Sequence, residues 1–166
     1  MKTLLFIAAT IVALIIVVGI IFTITGRERN WERIAGSPDR GRLDFSNLTR
    51  SPTGNDALAC TTGLGEGCDM TLPSFPAPLE QLAQKLANRI ESVDPLARRV
   101  DDGTAPEHLR YVTYSPNMRF PDLINIEIVE MPEGNLGIQA YVRAQLGSDD
   151  FGANRKRLTT IFEGFQ

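Results

Sequence analysis

The sequence has little of what most often carries catalysis or metal binding, with one histidine and two cysteines among 166 residues. His108, Cys60 and Cys68 do not complete a tetrahedral zinc site without added carboxylates. They also form no recognisable Ser-His-Asp or Cys-His arrangement. We therefore expect no metal site and no cofactor. His108 follows Pro106 and Glu107, and we interpret it as a solvated loop residue.

Basic residues are too few and too scattered to indicate a nucleic-acid-binding surface. Lysine and arginine number 17 against 20 aspartates and glutamates, which gives a formal net charge of −3. A nucleic-acid-binding domain normally concentrates its basic residues on one face or along one helix. No glycine-rich loop leads from a strand into a helix in the manner of a P-loop. We expect no nucleic-acid partner and no phosphate-binding loop of that type.

Charge is absent from Leu4 to Ile24, and this long apolar run predicts a membrane anchor. A helix needs about 20 apolar residues to cross the hydrocarbon core of a bilayer. A cleaved signal peptide, the alternative, usually has a shorter apolar region and a small-residue cleavage site. We favour a single-pass transmembrane anchor. The chain then divides into the anchor (1–26), a tether (27–57) and a soluble domain (58–166).

The side of the membrane depends on two opposing signals. Arginines at positions 27, 29 and 33 follow the apolar run, and the positive-inside rule would keep them in the cytoplasm. Three glycines between Cys60 and Cys68 allow the loop to fold back into disulfide geometry. A disulfide persists in an oxidising compartment, whereas free thiols would indicate the cytoplasm. We favour the disulfide, with the soluble domain on the periplasmic or extracellular side of a bacterial-type inner membrane.

The periodicity of the soluble part predicts an α+β domain. Apolar residues recur at helical spacing from Leu79 to Val93, which predicts an amphipathic helix. Alternating residues predict four strands, over 96–100, 109–114, 123–131 and 136–144. Residues 132–135 carry a hairpin turn signal. The predicted fold is a small two-layer sandwich, in which two helices cover one face of an antiparallel four-stranded sheet.

The stretch from Gly147 to Arg157 predicts the start of the last helix. Asp149 and Asp150 can accept hydrogen bonds from the free N–H groups of a first turn. Helical spacing then places Phe151 and Asn154 on an apolar face, with Arg155 and Lys156 pointing away from it. A buried amide must be hydrogen-bonded. We therefore expect Asn154 to tie this helix to the sheet or to a loop.

Three motifs carry a resemblance to a known family. They are Leu146-Gly147 with Asp150, Gly152, Asn154-Arg155 and Arg157; Arg119-Phe120-Pro121-Asp122; and the pair Cys60 and Cys68. The first resembles the C-terminal signature of domain-of-unknown-function family 1499. The second resembles the strand entry of that family, and the third resembles its cysteine pair. The family often has an Asn beside its second cysteine, whereas here Gly67 precedes Cys68, and the loop between the cysteines is longer. The chain also departs in the strand over 141–145, which is less rich in Ser and Arg. The resemblance implies no activity.

The polar residues near these motifs form the candidate site. They are Arg119, Asp122, Arg143, Asp150, Asn154, Arg155 and Arg157. One interpretation is a recognition site for a protein partner or a small acidic ligand, because arginine binds carboxylates in a bidentate manner. The other, which we favour, is a network of salt bridges that fixes the last helix on the sheet.

Two functions follow from these interpretations. The first is a membrane-anchored binding or scaffolding domain without a catalytic constellation. The second is a small-ligand enzyme or hydrolase in which Arg143, Asp122 and Asp150 supply acid–base chemistry and charge stabilisation. A pocket that holds all three side chains would favour the enzyme, whereas a filled network of paired charges would favour the binding domain.

The anchor predicts how the protein behaves on fractionation of cells. The full-length chain is expected to stay in the membrane fraction through alkaline carbonate extraction, because an apolar span of this length inserts into the hydrocarbon core. Release into the soluble fraction, or a mature N-terminus near Gly26, would contradict the anchor.

Overall fold

The computed structural model describes residues 1–132 and 134–165 of the chain. The helices are α1 (Lys2–Ile24), α2 (Arg27–Ala35), α3 (Leu79–Val93) and α4 (Ala153–Phe162). The strands are β1 (Asp56–Thr61), β2 (Met70–Leu72), β3 (Arg98–Arg99), β4 (His108–Tyr114), β5 (Pro121–Glu130) and β6 (Leu136–Ala144). The predicted hairpin turn over 132–135 includes Glu133, which lies outside the described residues.

The strands form one six-stranded mixed sheet in the order β2-β1-β6-β5-β4-β3. β1 pairs with β2 in parallel, and the other neighbouring strands pair in an antiparallel manner. The α+β class is confirmed, but the prediction of a four-stranded antiparallel sheet was wrong. β1 is buried on both faces, so it lacks the alternation of a half-exposed strand. β2 is only three residues long, which is too short for a periodic signal.

Helices α3 and α4 cover one face of the sheet. Ile124, Ile126 and Ile128 of β5 are buried there beside alternate residues of β4 and β6. On the helices, the buried residues recur about one turn apart, as a stripe that faces a sheet requires. These residues are Leu82, Leu86 and Ile90 on α3 and Leu158 and Ile161 on α4. The two-helix layer follows directly from this pattern.

Part of the opposite face of the sheet is covered by residues 36–55, which we call the arm. Leu43, Phe45 and Leu48 pack against Leu58 and Tyr141 on that face. The part of this face formed by β1 and β6 is therefore buried around Leu58 and Tyr141, whereas Arg143 on the same face stays exposed. This second layer explains why Tyr141 is buried although it lies on the strand face that points away from the two helices.

The arm is fixed to β1 by a charged contact. Arg50 donates to the two carboxylate oxygens of Asp56 at 2.8 and 3.0 Å and to Asp69 at 2.7 Å. Burial raises the pKa of the Asp56 carboxyl, but hydrogen bonds from Arg50, the Ser51 N–H and Tyr141 outweigh it, so the pKa lies below its usual range. This bidentate pair holds the end of the arm beside the sheet.

The cysteines close a loop over the same face. Cys60 and Cys68 form a disulfide, as predicted. Leu64, inside the loop, lies against Gly137 of β6, where a Cβ atom would come within 2.5 Å of the leucine side chain. The Leu64 carbonyl accepts a hydrogen bond from Gln139 at 2.9 Å. The glycine is therefore required by the close approach of the loop to the strand.

At the N-terminus, α1 is the one helix in the described chain that is long and apolar enough to cross a membrane. It has no buried residue along its length, and it fits either a span or a signal sequence. The short helix α2 follows at once and packs on the domain through Trp31. The indole donates to the Met118 carbonyl at 2.7 Å, and its ring packs between Phe22 and Phe120.

The disulfide is expected to contribute measurably to the stability of the domain. Reduction is expected to lower the free energy of unfolding by about 2–3 kcal/mol, because the unfolded chain gains the freedom that the short loop denies it. Chemical denaturation with and without reductant measures this difference. Under non-reducing denaturation, protein taken directly from cells should show no reactive thiol. Two reactive thiols per chain would contradict a disulfide-bonded protein in the cell.

Candidate functional site

The last helix begins later than predicted, and this difference shapes the site. α4 starts at Ala153, after Gly152 in a left-handed conformation with φ 76°. Phe151 also has a positive φ, 52°, and it is 94% exposed. The prediction that Phe151 lies on the apolar face of the helix was therefore wrong. A glycine that adopts positive φ without strain allows the chain to turn here before it becomes helical.

The two aspartates before the helix hold this turn together. Asp149 accepts from the Phe151 N–H at 2.7 Å. Asp150 accepts from the Gly152 N–H and from the Asn154 N–H, both at 2.9 Å. Asp150 therefore supplies the expected carboxylate for the first turn of α4, whereas Asp149 serves the loop that precedes it. In both cases the aspartate side chain accepts a hydrogen bond from the N–H two residues later. This is the Asx-turn that short polar side chains commonly form with the nearby backbone.

Asn154 is fully buried and hydrogen-bonded through both ends of its amide. Its amide nitrogen donates to the Asn55 carbonyl at 3.1 Å. Its amide oxygen accepts from the Arg157 guanidinium at 2.5 Å. Asn55 also contacts the loop before α4, because its side chain donates to the Gly147 carbonyl at 2.7 Å. The buried amide thus joins α4 to the end of the arm.

Arg157 is the centre of a largely buried charge network. It donates to Asp94, just after α3, at 3.1 Å and to Asp122 on β5 at 3.0 Å. The side chains of these three residues are 12%, 15% and 9% exposed. Thr113 on β4 donates to the same Asp94 oxygen at 2.7 Å. One guanidinium therefore serves two carboxylates, and the cluster carries an excess of negative charge.

This excess affects the titration of Asp122. Burial raises the pKa of its carboxyl, Arg157 lowers it, and the nearby carboxylates Asp150 and Asp94 raise it further. The net result is a pKa above the usual range of an aspartate. The proton of Asp122 is therefore held more tightly in the folded than in the unfolded protein, and its ionised form is poorly neutralised.

Asp122 also lines a cleft of about 400 Å³ between the loop 115–120 and the loop 146–152. The walls are largely apolar and include Phe120, Leu146 and Phe151, together with Met118, which is 52% exposed. Asp149 and Asp150 line it as well, and no basic residue does so within the described chain. The cleft therefore combines an apolar wall with three carboxylates.

Backbone strain is concentrated in the two loops of the cleft. Arg119 and Phe151 are the residues other than glycine that have a positive φ in the described chain, at 62° and 52°. A bulky side chain in this conformation costs of the order of 1–3 kcal/mol and persists only where surrounding contacts enforce it. Such strained residues are often found at binding and catalytic sites. Here both lie in the two loops that border one cleft.

The structure brings only part of the predicted cluster together. Asp122, Asp150, Asn154 and Arg157 meet at the base of α4, where they are joined by Asp94, which the sequence did not indicate.

Arg143 does not belong to this cluster. It is exposed and lies opposite Leu123, whereas its neighbour Ala144 lies opposite Asp122. Successive residues of a strand point to opposite faces, so Arg143 and Asp122 are on different sides of the sheet.

The other predicted residues have separate partners. Arg155 forms an ion pair with Asp69 at 2.5 Å, and Arg119 lies 3.7 Å from Glu28 of α2. His108 begins β4 and its side chain is 15% exposed, so its interpretation as a solvated loop residue was wrong. Within the described residues, no group of three or more histidine, cysteine, aspartate or glutamate side chains is arranged to hold a metal ion.

The arrangement defines a class of protein: an α+β domain that follows an N-terminal apolar helix and carries a cleft at the start of its last helix. Residues 69–165, more than half of the chain, match the family described as a protein of unknown function, DUF1499. The chain belongs to this family, as its resemblance indicated. No curated protein and no solved structure matches the chain.

The network predicts that substitutions at positions 154 and 156 of α4 differ strongly in their effect on the free energy of unfolding. Asn154→Ala is expected to lower the free energy of unfolding by about 1–3 kcal/mol, because it leaves the buried partners of the amide unsatisfied. Asn154→Asp should be at least as harmful, because it adds a charge to a buried and already acidic cluster. Lys156→Ala, on the exposed side, should stay within about 0.5 kcal/mol.

Thermal or chemical denaturation of the three variants measures this difference. If Asn154→Ala unfolds like the wild type, the buried amide is not a structural link between the arm and α4.

Proposed function

We propose that this protein is a membrane-anchored binding domain, and that its cleft binds a segment of a partner protein with a basic side chain beside an apolar one. The observation that carries the proposal is the combination of an incompletely neutralised, buried Asp122 with an apolar wall that ends in the exposed ring of Phe151. A lysine or arginine of a partner would supply the missing positive charge, and its apolar neighbour would cover Phe151.

Charge complementarity selects this partner over an acidic one. Asp122, Asp149 and Asp150 line the cleft, whereas the Arg157 guanidinium already serves Asp94 and Asp122. A small acidic ligand, the other partner considered from the sequence, would meet three carboxylates and be repelled. A basic group would instead be attracted by these carboxylates, of which Asp122 is buried.

The shape of the cleft favours recognition of a protein segment. Aromatic residues and methionine are enriched where proteins meet, and an exposed aromatic ring on a rigid backbone loses little conformational freedom on binding. Phe151 fits this description, because the Asp149 and Asp150 contacts fix its loop. Retaining a positive φ at Phe151 costs stability, and a function in binding accounts for that cost.

The enzyme alternative loses its proposed constellation. Arg143 is on the other face of the sheet from Asp122, and Asp150 accepts two backbone hydrogen bonds at the start of α4. Asp122 and Asp150 still line one cleft, but without Arg143 this pair of carboxylates lacks the positive charge that the enzyme alternative requires as charge stabiliser. The filled network instead supports a structural role for Arg157 and Asn154, and a binding role for the cleft above them.

The location that we propose for the domain is the periplasmic or extracellular side of a bacterial-type inner membrane. The support is the disulfide, because such a bond persists in an oxidising compartment. The partner would then be another protein of that compartment or the exposed part of a membrane protein. The apolar helix α1 would keep the cleft close to the membrane.

Photo-crosslinking from the cleft in living cells tests the proposal. A photoreactive phenylalanine analogue is placed at Phe151 in the full-length chain, and at the exposed Thr159 of α4 as a control. A discrete protein product is expected from position 151 and not from position 159. Mass spectrometry should locate the linked peptide beside a lysine or arginine of the partner.

A matched pair of aspartate variants tests the role of charge. Asp149→Asn removes a cleft charge but keeps the oxygen that accepts from the residue two positions on. Asp102→Asn does the same at an exposed position outside the cleft. The first should weaken the crosslink several-fold, and the second should not.

Acidification supplies an independent check of the charge. Lowering the pH through the raised pKa of Asp122 neutralises its carboxylate, so the crosslink should weaken as the pH falls. A product that survives Asp149→Asn, or that forms equally from position 159, would contradict the proposal. Crosslinking of Phe151 to lipid alone would replace the protein partner with the membrane.

A further inference from the structure

A second pocket, of opposite charge, lies where the apolar helix meets the domain. It has a volume of about 670 Å³, and its wall includes Ile24 and Thr25 at the end of α1. Its charged lining residues come from α2, from β3 and from the loop 115–120. They are Arg27, Arg29, Arg98, Arg119, Glu28 and Glu32. Four arginines therefore line the pocket with two glutamates, and it carries an excess of positive charge.

The two glutamates neutralise only part of this charge. Arg98 donates to Glu32 at 2.6 Å, and Tyr114 donates to the same carboxylate. Arg119 lies 3.7 Å from Glu28, which is longer than a hydrogen bond. These are the ion pairs that the pocket residues form within the described chain, so Glu32 is fully engaged and Glu28 is only loosely held.

Two arginines of α2 are left without a carboxylate partner among the described residues. Arg27 donates to the Asn117 carbonyl at 2.7 Å, and a neutral carbonyl does not cancel its charge. Arg29 lines the pocket from the same turn of the helix. Guanidinium groups present a fork of donors that matches the oxygens of a phosphate. The free donors of the pocket therefore fit a phosphate group.

The pocket is held in shape before any ligand arrives. Trp31 of α2 donates to the Met118 carbonyl at 2.7 Å, and its ring lies 4.9 Å from Phe22 and 4.8 Å from Phe120. Asn30 donates to the Phe22 carbonyl at 3.0 Å. These contacts tie the end of α1, the helix α2 and the loop 115–120 to one another. A preorganised site loses less conformational freedom on binding.

The position of the pocket along α1 indicates where the phosphate comes from. α1 has 23 residues, and a helix of this length spans about 34 Å, slightly more than the hydrocarbon core of about 30 Å. If α1 crosses a bilayer, Ile24 and Thr25 lie at its boundary, and the pocket lies at the level of the lipid headgroups.

We propose that this pocket binds the phosphate of an anionic phospholipid at the membrane surface. Arg27 and Arg29 would hold the phosphate oxygens, and Ile24 would contact the adjoining acyl chains. The inference depends on α1 as a membrane span and not on the cleft at α4, so either binding site can fail without the other.

Native mass spectrometry of the full-length protein in detergent micelles tests the proposal. Phosphatidylglycerol and phosphatidylcholine are titrated against the wild type, Arg29→Gln and Arg33→Gln. Arg33 is the matched control, because it is an exposed arginine of α2 that does not line the pocket. Nonspecific electrostatic attraction to anionic lipid contributes about 1 kcal/mol for each basic residue, which corresponds to about fivefold in binding affinity.

The expected result is retention of phosphatidylglycerol over phosphatidylcholine by the wild type. Arg29→Gln should weaken that retention by clearly more than about fivefold, and Arg33→Gln by no more than that. Melting temperatures of the variants should match the wild type, because both side chains are exposed.

Several outcomes would overturn the proposal. Equal losses at positions 29 and 33 would mean diffuse attraction without a site. Equal retention of the two lipids would remove the preference for an anionic headgroup. Displacement of the lipid by millimolar inorganic phosphate would assign the pocket to a soluble phosphate. A mature chain that begins after Gly26 would remove Ile24 and Thr25 from the pocket altogether.

Discussion

The largely buried guanidinium of Arg157 is the constraint on which the described domain depends. It reaches from α4 to Asp94 after α3 and to Asp122 on β5, and it donates to Asn154 one turn earlier in its own helix. Two helices and the sheet therefore meet at one cation. A buried ion pair adds little net stability over an apolar contact, but loss of one partner costs about 3–5 kcal/mol. The network thus specifies how α4 lies on the sheet.

The cleft is a consequence of the same network. Asp150 and Asn154 fix the first turn of α4, and the chain before it must then leave the sheet through the turn at Gly152. That turn places Phe151 in solvent rather than in the core. Asp122, which is paired with Arg157, lines the same cleft as the residues of this turn. Structure and proposed binding therefore share one set of side chains.

The elements that were predicted from the sequence are those with a periodic signal. α3 and the strands β4, β5 and β6 alternate or repeat clearly, whereas β1 is buried on both faces and β2 is three residues long. In the site, burial of Asn154 followed from helical spacing. Asp94 was missed because its contact with Arg157 joins residues far apart in the chain. Arg143 was grouped with Asp122 by proximity to the last helix, although strand alternation separates their faces.

The loop 115–120 connects the two proposed binding sites and explains how their geometry is maintained. Ser115 and Phe120 close the loop through two hydrogen bonds, from the Ser115 N–H to the Phe120 carbonyl at 2.9 Å and from the Phe120 N–H to the Ser115 hydroxyl at 3.0 Å. Arg27 and Trp31 of α2 hold it from outside. The positive φ of Arg119 persists because contacts on both sides of the loop enforce it. The loop therefore forms one wall of the acidic cleft and contributes Arg119 to the basic pocket, so the contacts of α2 with this loop link the two sites.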